Sequence, residues 1–214
     1  YDDMDAFAKK VYDKFATVDY FFNNAGIALA GNIWSMSLKD WKWGFDTNVM
    51  GLVHGIKAFV PAMIAEDKES RIINTASVAG LIMSSNSPVY LSSKHAAVSL
   101  TEVLNLQLIL AKAKVRSYVL CPGFVVTDLH NADRHRPPEL QNDPTDPYYQ
   151  SEDYLTKKAG IEQSVLGGIT VEKSIELLWA GLENDQFYIL THPEYNPLIQ
   201  LRIKNILEQK RPMP

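Results

Sequence analysis

The chain has 214 residues, 46% of them hydrophobic, and carries a formal net charge of −4. This length and composition are typical of a single soluble domain with a full core. Basic residues are scattered along an acidic chain, so nucleic acid is excluded as an expected partner. The single cysteine, Cys121, cannot form an internal disulfide bond.

The chain shows no targeting or membrane signal. No stretch approaches the roughly 18 uninterrupted apolar residues that a membrane helix needs. The opening residues, YDDMDAFAKK, have neither the basic nor the apolar region of a signal peptide. We therefore expect a cytoplasmic protein with no membrane partner.

Hydrophobic periodicity predicts an alternation of helices and strands. The first helix, 2–15, has apolar residues three and four positions apart. The strands are short apolar runs that end in Asn, Gly or Pro. Ser37 and Ser87 are predicted N-caps of the two long helices, and Pro88 takes the first helical position of the second. The predicted elements are helix 2–15, strand 18–23, helix 37–63, strand 71–77, helix 87–113, strand 115–123, helix 170–182 and strand 186–190.

Two segments do not follow this alternation. Residues 128–168 are polar and rich in proline, without clear periodicity. Long segments of this kind in compact domains are usually functional or mobile, so we interpret 128–168 as a substrate lid. The C-terminal tail, 192–214, is predicted to be polar and partly helical. No internal repeat divides the chain, and residues 1–214 are interpreted as one domain.

The alternation favours βαβ units, which means a parallel sheet with helices on both faces. In such sheets ligands bind at the carboxyl ends of the strands. Three loops rich in glycine and small polar residues follow predicted strands, at 23–26, 74–80 and 121–128. We expect these three loops to converge on one crevice that carries the function.

The motifs in these loops resemble those of the short-chain dehydrogenase/reductase family, specifically its single-domain branch. That family has an Asn-Asn-Ala-Gly loop, a serine about 13 residues before a Tyr-x-x-x-Lys pair, an asparagine in the preceding helix, and a Pro-Gly followed by Thr. Here Ser77 lies 13 residues before Tyr90, and Lys94 follows. A second Tyr-x-x-x-Lys spacing, Tyr154 and Lys158, has no such serine and is interpreted as surface residues.

The resemblance implies a doubly wound, Rossmann-type parallel sheet in a three-layer αβα arrangement, and an NAD- or NADP-dependent oxidoreductase. Tyr90 would be the acid or base and Lys94 would lower its pKa and hold the cofactor ribose. Ser77 would position the substrate oxygen, and Asn48 would hold a water in a proton relay. The cofactor-binding residues implied are Asn24, Ala25, Gly26, Tyr90, Lys94, Pro122, Gly123, Val125 and Thr127.

The chemistry of ketone reduction needs such a set without reference to any family. Hydride addition to a ketone places negative charge on the carbonyl oxygen, so a donor and an acid must stand beside it. A tyrosine with its usual pKa near 10 holds its proton too tightly for reversible work near neutral pH. A lysine one helical turn away can lower that pKa.

The start of the chain departs from the family pattern. Family members begin with a strand and a Gly-rich turn that receives the cofactor pyrophosphate at a helix N-terminus. The first strands and that turn are not in this sequence, so we expect the chain to be part of a longer one. The residue that separates NAD from NADP lies in the same region, and the two cofactors remain alternatives.

Substrate contacts are expected between Ser77 and Tyr90 and from the lid. Leu81, Met83 and Tyr148 would form an apolar wall, which suggests a moderately apolar secondary alcohol or ketone. An extended-branch epimerase or dehydratase, or a nicotinamide-binding sensor without catalysis, remain alternatives. By analogy with the family, we expect a homodimer or homotetramer.

No metal site is expected from this sequence. Asp128, His130, Asp133 and His135 of the lid are residue types that could bind a metal, but no predicted helix or strand fixes their relative positions. Cys121 is interpreted as a small buried residue rather than a nucleophile.

Overall fold

The computed structural model describes residues 1–212 as an α/β domain with short 3₁₀ turns in its loops. The elements lie close to where the sequence predicts them, with one additional helix in the lid. They are α1 (Asp2–Phe15), β1 (Tyr20–Asn23), α2 (Leu38–Phe45), α3 (Gly51–Ala65), β2 (Ser70–Thr75), α4 (Pro88–Leu110), β3 (Val115–Cys121), α5 (Glu152–Leu166), α6 (Val171–Glu183), β4 (Tyr188–Leu190) and α7 (Asn196–Leu207).

The four strands form one parallel sheet in the order β1-β2-β3-β4. Asn23 at the end of β1 is level with Asn74 of β2, and Asn74 is level with Val119 of β3. The carboxyl ends of these strands therefore meet at one edge of the sheet. The predicted doubly wound parallel fold is confirmed.

Helices cover both faces of the sheet. Neighbouring residues of β2 point to opposite faces, as strand geometry requires. Ile72 packs with α1, α3 and α4 through Phe59 and Leu104. Ile73 packs on the other face with α6 through Leu178 and Leu182. Both isoleucines are fully buried, so the sheet is the middle of three layers.

The predicted helix 37–63 is not one regular α-helix. Ser37 caps α2 by accepting a hydrogen bond from the Asp40 N–H at 3.2 Å, as predicted. The segment Asp46–Met50 between α2 and α3 is a π-helical turn. Such turns insert an extra residue into a helix and are frequent at functional sites. Asn48 lies in the middle of this turn and is fully buried.

The combined helix, Leu38–Ala65, is the one helix within residues 1–212 that is long and apolar enough to cross a membrane by length and composition. Core helices of globular proteins pass the same test. In this structure Leu52, Phe59 and Met63 of α3 are buried in the core. The helix is therefore a packed element of the domain.

The lid, residues 128–168, is more ordered than the sequence predicts. Its second half forms α5, which the lack of periodicity concealed. Its first half is anchored to α2 by a buried ion pair in which the Arg136 guanidinium donates to the Asp40 carboxylate at 2.5 Å. Neither side chain is more than 5% exposed. Most residues of this segment are exposed or half-buried, and Ala132, Arg136 and Val165 are its buried contacts with the domain.

Further donors satisfy the buried Asp40 carboxylate. Asn142 donates its amide to Oδ1 at 3.0 Å, and the Tyr149 hydroxyl donates to Oδ2. The Arg136 guanidinium also lies 4.5 Å from the centre of the Trp43 ring. A buried carboxylate is tolerable only when it is paired and hydrogen-bonded in this way. Asp40 is thus a buried point at which the lid is fixed to α2.

We predict that Asp40→Ala lowers the free energy of unfolding by about 3 kcal/mol, because it leaves the buried Arg136 charge without its partner. Asp46→Ala is the matched control one helical turn and a half away. Asp46 pairs with Lys42 at the exposed surface, so its loss should cost about 0.5 kcal/mol or less. Chemical denaturation of both variants measures the difference, and equal losses would contradict a buried anchor.

Candidate active site

Loops from three neighbouring strands meet at the carboxyl edge of the sheet. Ser77 follows β2 and donates its hydroxyl to the Pro122 carbonyl, after β3, at 3.2 Å. The Val78 N–H donates to the same carbonyl at 2.8 Å. Ser77 is 7% exposed, so its hydroxyl is held inside the crevice rather than in solvent. The predicted convergence of the loops 74–80 and 121–128 is found.

Tyr90 and Lys94 lie in the first two turns of α4, which begins at Pro88 as predicted, although Ser87 makes no side-chain cap bond. A spacing of four residues places them on one face of the helix. The Lys94 ammonium lies 5.7 Å from the centre of the Tyr90 ring. It donates one hydrogen bond, to the Thr75 carbonyl at 2.9 Å.

Burial dominates the electrostatics of this pair. It raises the pKa of Tyr90, and a hydrogen bond with the Ser77 hydroxyl works in the opposite direction. It also lowers the pKa of Lys94 to about 8, because a buried ammonium loses its hydration. The sequence predicts a lowered pKa for Tyr90. In the structure this pKa is raised, because the effect of burial is larger than that of the Ser77 hydroxyl.

Asn48 links the loop after β1 to the helix that carries Tyr90. Its Oδ1 accepts from the Ile27 N–H at 2.8 Å, and its Nδ2 donates to the Ile27 carbonyl at 2.9 Å. The same Nδ2 donates to the Ser93 hydroxyl at 2.9 Å. Ser93 in turn donates to the Tyr90 carbonyl at 2.9 Å. Both ends of the Asn48 amide are therefore engaged by protein groups.

Gly26 leaves open the space in front of Lys94 and Asn48. A Cβ at this position would lie 3.1 Å from Lys94 Nζ and 3.3 Å from Asn48 Oδ1. Both distances are shorter than ordinary van der Waals contacts, so a side chain would press on both polar groups. The Asn-Asn-Ala-Gly motif thus ends in glycine for a local steric reason. Asn24 and Ala25, before it, are exposed at the mouth of the crevice.

The loop after β3, residues 122–127, is called the Pro-Gly loop below. Val125 forms an isolated parallel bridge with Ile169, which continues the sheet past β3. The Thr127 hydroxyl donates to the Val125 carbonyl at 3.2 Å. Pro122 and Gly123 are half-buried beside Ser77, whereas Thr127 is exposed. The predicted cofactor residues of this loop therefore lie in one short segment directly after β3.

The three predicted substrate residues have different surroundings. Met83 is 56% exposed. Leu81 is half-buried against the core beside Ala76. The Tyr148 hydroxyl accepts from the Asn32 N–H at 2.7 Å, so it ties the lid to the loop after β1. Of the three, Met83 has the side chain that is freest to meet a ligand.

Sequence reasoning missed several residues that hold the site together. Ser93 lies between Tyr90 and Lys94, and only its polarity inside a helix hints at its bond with Asn48. Thr75 acts through its backbone carbonyl, which leaves no trace in the side-chain pattern. His192 lies beyond β4 and contacts the Pro-Gly loop. Its distance along the chain from every other motif concealed it.

The remaining candidates take part in other interactions. Cys121 is buried, and burial raises its pKa to about 12, so its thiol is a poor nucleophile. Asp128 and Asp133 form ion pairs with Arg134 and Lys158. Within residues 1–212 no group of three potential metal ligands comes together.

Tyr154 is not the surface residue that the sequence suggests. Its ring packs against those of Tyr148 and Tyr149 within the lid, with centroids 5.6 and 5.1 Å away. Burial raises the pKa of Tyr154 to about 12. Lys158 is about half exposed and forms its ion pair at the lid surface. Tyr154 and Lys158 therefore belong to the packing of the lid.

A model of the family described as short chain dehydrogenase matches residues 1–138, which include Asn48, Ser77, Tyr90 and Lys94. The chain belongs to the short-chain dehydrogenase/reductase family. It is 41% identical over 209 residues to a CLA biosynthesis dehydrogenase/reductase of Lactiplantibacillus plantarum, covering 98% of this chain and 73% of that protein. It is 27% identical to a C alpha-dehydrogenase of Sphingobium, covering 89% of this chain and 60% of that protein.

Solved structures agree with this membership. A short-chain dehydrogenase/reductase from Burkholderia phymatum in complex with NAD has a TM-score of 0.94 and 36% identity, and the match covers 99% of this chain and 74% of that one. A gluconate 5-dehydrogenase from Burkholderia cenocepacia in complex with NADP and tartrate has a TM-score of 0.56 and 25% identity, covering 60% and 49%. This family member spans part of the length of these relatives.

The buried Lys94 gives a pH-dependent prediction. Its pKa falls from 10.5 in the unfolded chain to about 8 in the folded protein, so burying the cation costs stability below pH 8, and that cost disappears as the pH rises towards 10.5. Lys94→Met removes the cost at every pH. We expect the stability of the variant relative to the native protein to fall by about 2 to 3 kcal/mol between pH 7 and pH 10.

Denaturant titrations at both pH values measure this difference. Lys42→Met, at an exposed position of α2, controls for the loss of a lysine elsewhere. A relative stability of Lys94→Met that stays constant from pH 7 to pH 10 would contradict a buried, titrating cation.

Proposed function

We propose that this family member is an NAD(P)-dependent oxidoreductase that interconverts a moderately apolar secondary alcohol and its ketone by hydride transfer. The observation that carries the proposal is the placement of Tyr90, Ser77 and Lys94 in one crevice. The Ser77 hydroxyl is close enough to act on the pKa of Tyr90, and the Lys94 ammonium lies 5.7 Å from the centre of the tyrosine ring. A donor, an acid and a cation beside one another are what carbonyl reduction requires.

The residues present fit the nicotinamide end of such a cofactor. Gly26 leaves space against Lys94 and Asn48 that a Cβ would fill. Lys94 has three donors and uses one of them on the Thr75 carbonyl, so two remain for ribose hydroxyls. The Pro-Gly loop would line the nicotinamide ring through Pro122, Gly123, Val125 and Thr127. Crystal structures of relatives with NAD and with NADP support either nucleotide.

Ser77 and Tyr90 would have different roles in the reaction. The bound nicotinamide supplies or accepts the hydride. The Ser77 hydroxyl would hold the substrate oxygen, and the Tyr90 hydroxyl would give that oxygen a proton as its negative charge develops. Since its pKa lies above the neutral range, Tyr90 is protonated at neutral pH, which is the form that ketone reduction needs. In the oxidation direction the positive ring of the cofactor would favour the tyrosinate.

Asn48 would hold the elements of the site in place rather than contact the substrate. Its amide holds Ile27 and Ser93, so it fixes the loop 23–27 against α4. The water relay implied by the family resemblance remains a proposal for this residue. Its Oδ1 keeps a second lone pair, which could accept from such a water.

An apolar substrate is supported by the surroundings of the crevice. Met83 projects from the loop before α4 with half of its surface open. The residues after Gly26 are apolar and largely buried, among them Ile27 and Leu29. No arginine lies among the residues 77–90, so a phosphorylated substrate has little support there. Cytoplasmic location and homo-oligomeric assembly stay predictions.

We predict that Tyr90→Phe lowers kcat about 100-fold or more, because a positioned general acid contributes that much. The ring is kept, so cofactor binding should change little. The matched control is Tyr154→Phe, which alters the other Tyr-x-x-x-Lys pair and should leave kcat unchanged. The assay follows nicotinamide absorbance with a panel of apolar ketones and secondary alcohols.

The same assay, with a sugar nucleotide added to the panel, separates the alternative functions. Equal rates for the native protein and Tyr90→Phe would refute the acid role. Cofactor binding without turnover of any alcohol or ketone would favour a sensor. Turnover of a sugar nucleotide without net change in nicotinamide absorbance would favour an epimerase.

A further inference from the structure

His192 is a buried side chain that the proposed mechanism does not use. It lies two residues after the end of β4, at the start of the predicted tail, and is 7% exposed. Both nitrogens of its ring meet the Pro-Gly loop. The Gly123 N–H lies 3.0 Å from Nδ1, and the Phe124 carbonyl lies 3.0 Å from Nε2.

These partners fix the tautomer of the imidazole. A backbone N–H can only donate, so Nδ1 of His192 must be the acceptor for Gly123. The proton of the neutral ring then lies on Nε2 and is donated to the Phe124 carbonyl. The Thr191 hydroxyl, 2.7 Å from Nδ1, is a second donor to the same nitrogen. The neutral ring therefore uses one acceptor and one donor on two consecutive residues of the loop.

The contact is also close enough to constrain the loop sequence. A Cβ at Gly123 would lie 2.6 Å from the His192 ring, which is far inside van der Waals contact. The glycine of the Pro-Gly motif is thus required by its contact with the imidazole. The imidazole packs directly against the backbone of Gly123, and a side chain at this position would push the ring away from the loop.

The opposite side of the same loop is held by the catalytic serine. The Pro122 carbonyl accepts from the Ser77 hydroxyl and the Val78 N–H. The N–H of the same peptide bond, that of Gly123, points the opposite way and donates to His192. Three consecutive residues, 122–124, are therefore clamped between β2 on one side and the end of β4 on the other.

We propose that His192 is a positioning residue that sets the Pro-Gly loop at the distance from Ser77 and Tyr90 that the nicotinamide ring requires. The proposal rests on the proposed function, in which this loop lines the nicotinamide. It assigns His192 to the cofactor side of the site and not to the substrate side. Loss of the imidazole should therefore weaken cofactor binding more than substrate binding.

Three variants separate the bonds. His192→Phe keeps a flat ring but removes both hydrogen bonds. His192→Asn keeps an acceptor close to the place of Nδ1 and loses the donor to Phe124. Thr191→Val is the matched control, because it removes the neighbouring hydroxyl and leaves both bonds between His192 and the loop in place.

Kinetics with NADH and NADPH, and fluorescence titration of both, give the first readout. Loss of two loop hydrogen bonds should raise the cofactor KM and Kd about tenfold for His192→Phe. His192→Asn should lie between that variant and the native protein, and Thr191→Val should stay within about twofold of native. The KM for the ketone should change much less than that for the cofactor.

Amide hydrogen exchange in the absence of cofactor gives the second readout. The Gly123 amide should exchange faster in His192→Phe than in the native protein, and at the native rate in Thr191→Val. Unchanged exchange at Gly123, or equal effects on cofactor and ketone KM, would overturn the positioning role. Faster exchange in a protein that binds neither nucleotide would leave the clamp standing and refute the proposed function instead.

Discussion

The buried amide of Asn48 is the contact on which the site depends. It forms a closed pair of hydrogen bonds with the backbone of Ile27 and a third with Ser93. One side chain thereby joins the loop after β1, the π-helical turn and helix α4, which carries Tyr90 and Lys94. A fully buried amide costs free energy unless all its groups are paired, so these three elements can hold only one mutual arrangement. Gly26, Lys94 and Tyr90 are placed by that arrangement.

The sequence predicts the architecture well because the signals are local. Apolar periodicity, capping residues and loops of small polar residues located the strands and helices within a few positions. The parallel sheet then required that Ser77, Pro122 and the loop 23–26 meet at one edge. The π-helical turn at 46–50 left no comparable signal, because the spacing of four that it produces between apolar residues also occurs in ordinary amphipathic helices. Its existence depends on the tertiary bonds of Asn48.

The lid and His192 show where local signals fail. Nothing in the composition of 128–168 indicates that Arg136 reaches a buried Asp40 96 positions earlier in the chain. Similarly, His192 is 69 positions from Gly123 and belongs to no motif. Both contacts pair polar groups that are distant in sequence and meet only in the folded protein. Because these groups are buried, each needs its partner to satisfy its hydrogen bonds or charge. The lid is accordingly packed against the rest of the domain.

We propose that Tyr90, Ser77 and Lys94 surround a site of direct hydride transfer between nicotinamide and a carbonyl carbon. The most direct measurement uses reduced cofactor that carries deuterium at C4, with an apolar ketone as substrate and mass spectrometry of the alcohol formed. We predict one deuterium on the carbinol carbon of the product and a loss of this labelled product in Tyr90→Phe. Alcohol formed without deuterium from either C4 position, or labelled product at the native rate in Tyr90→Phe, would contradict it.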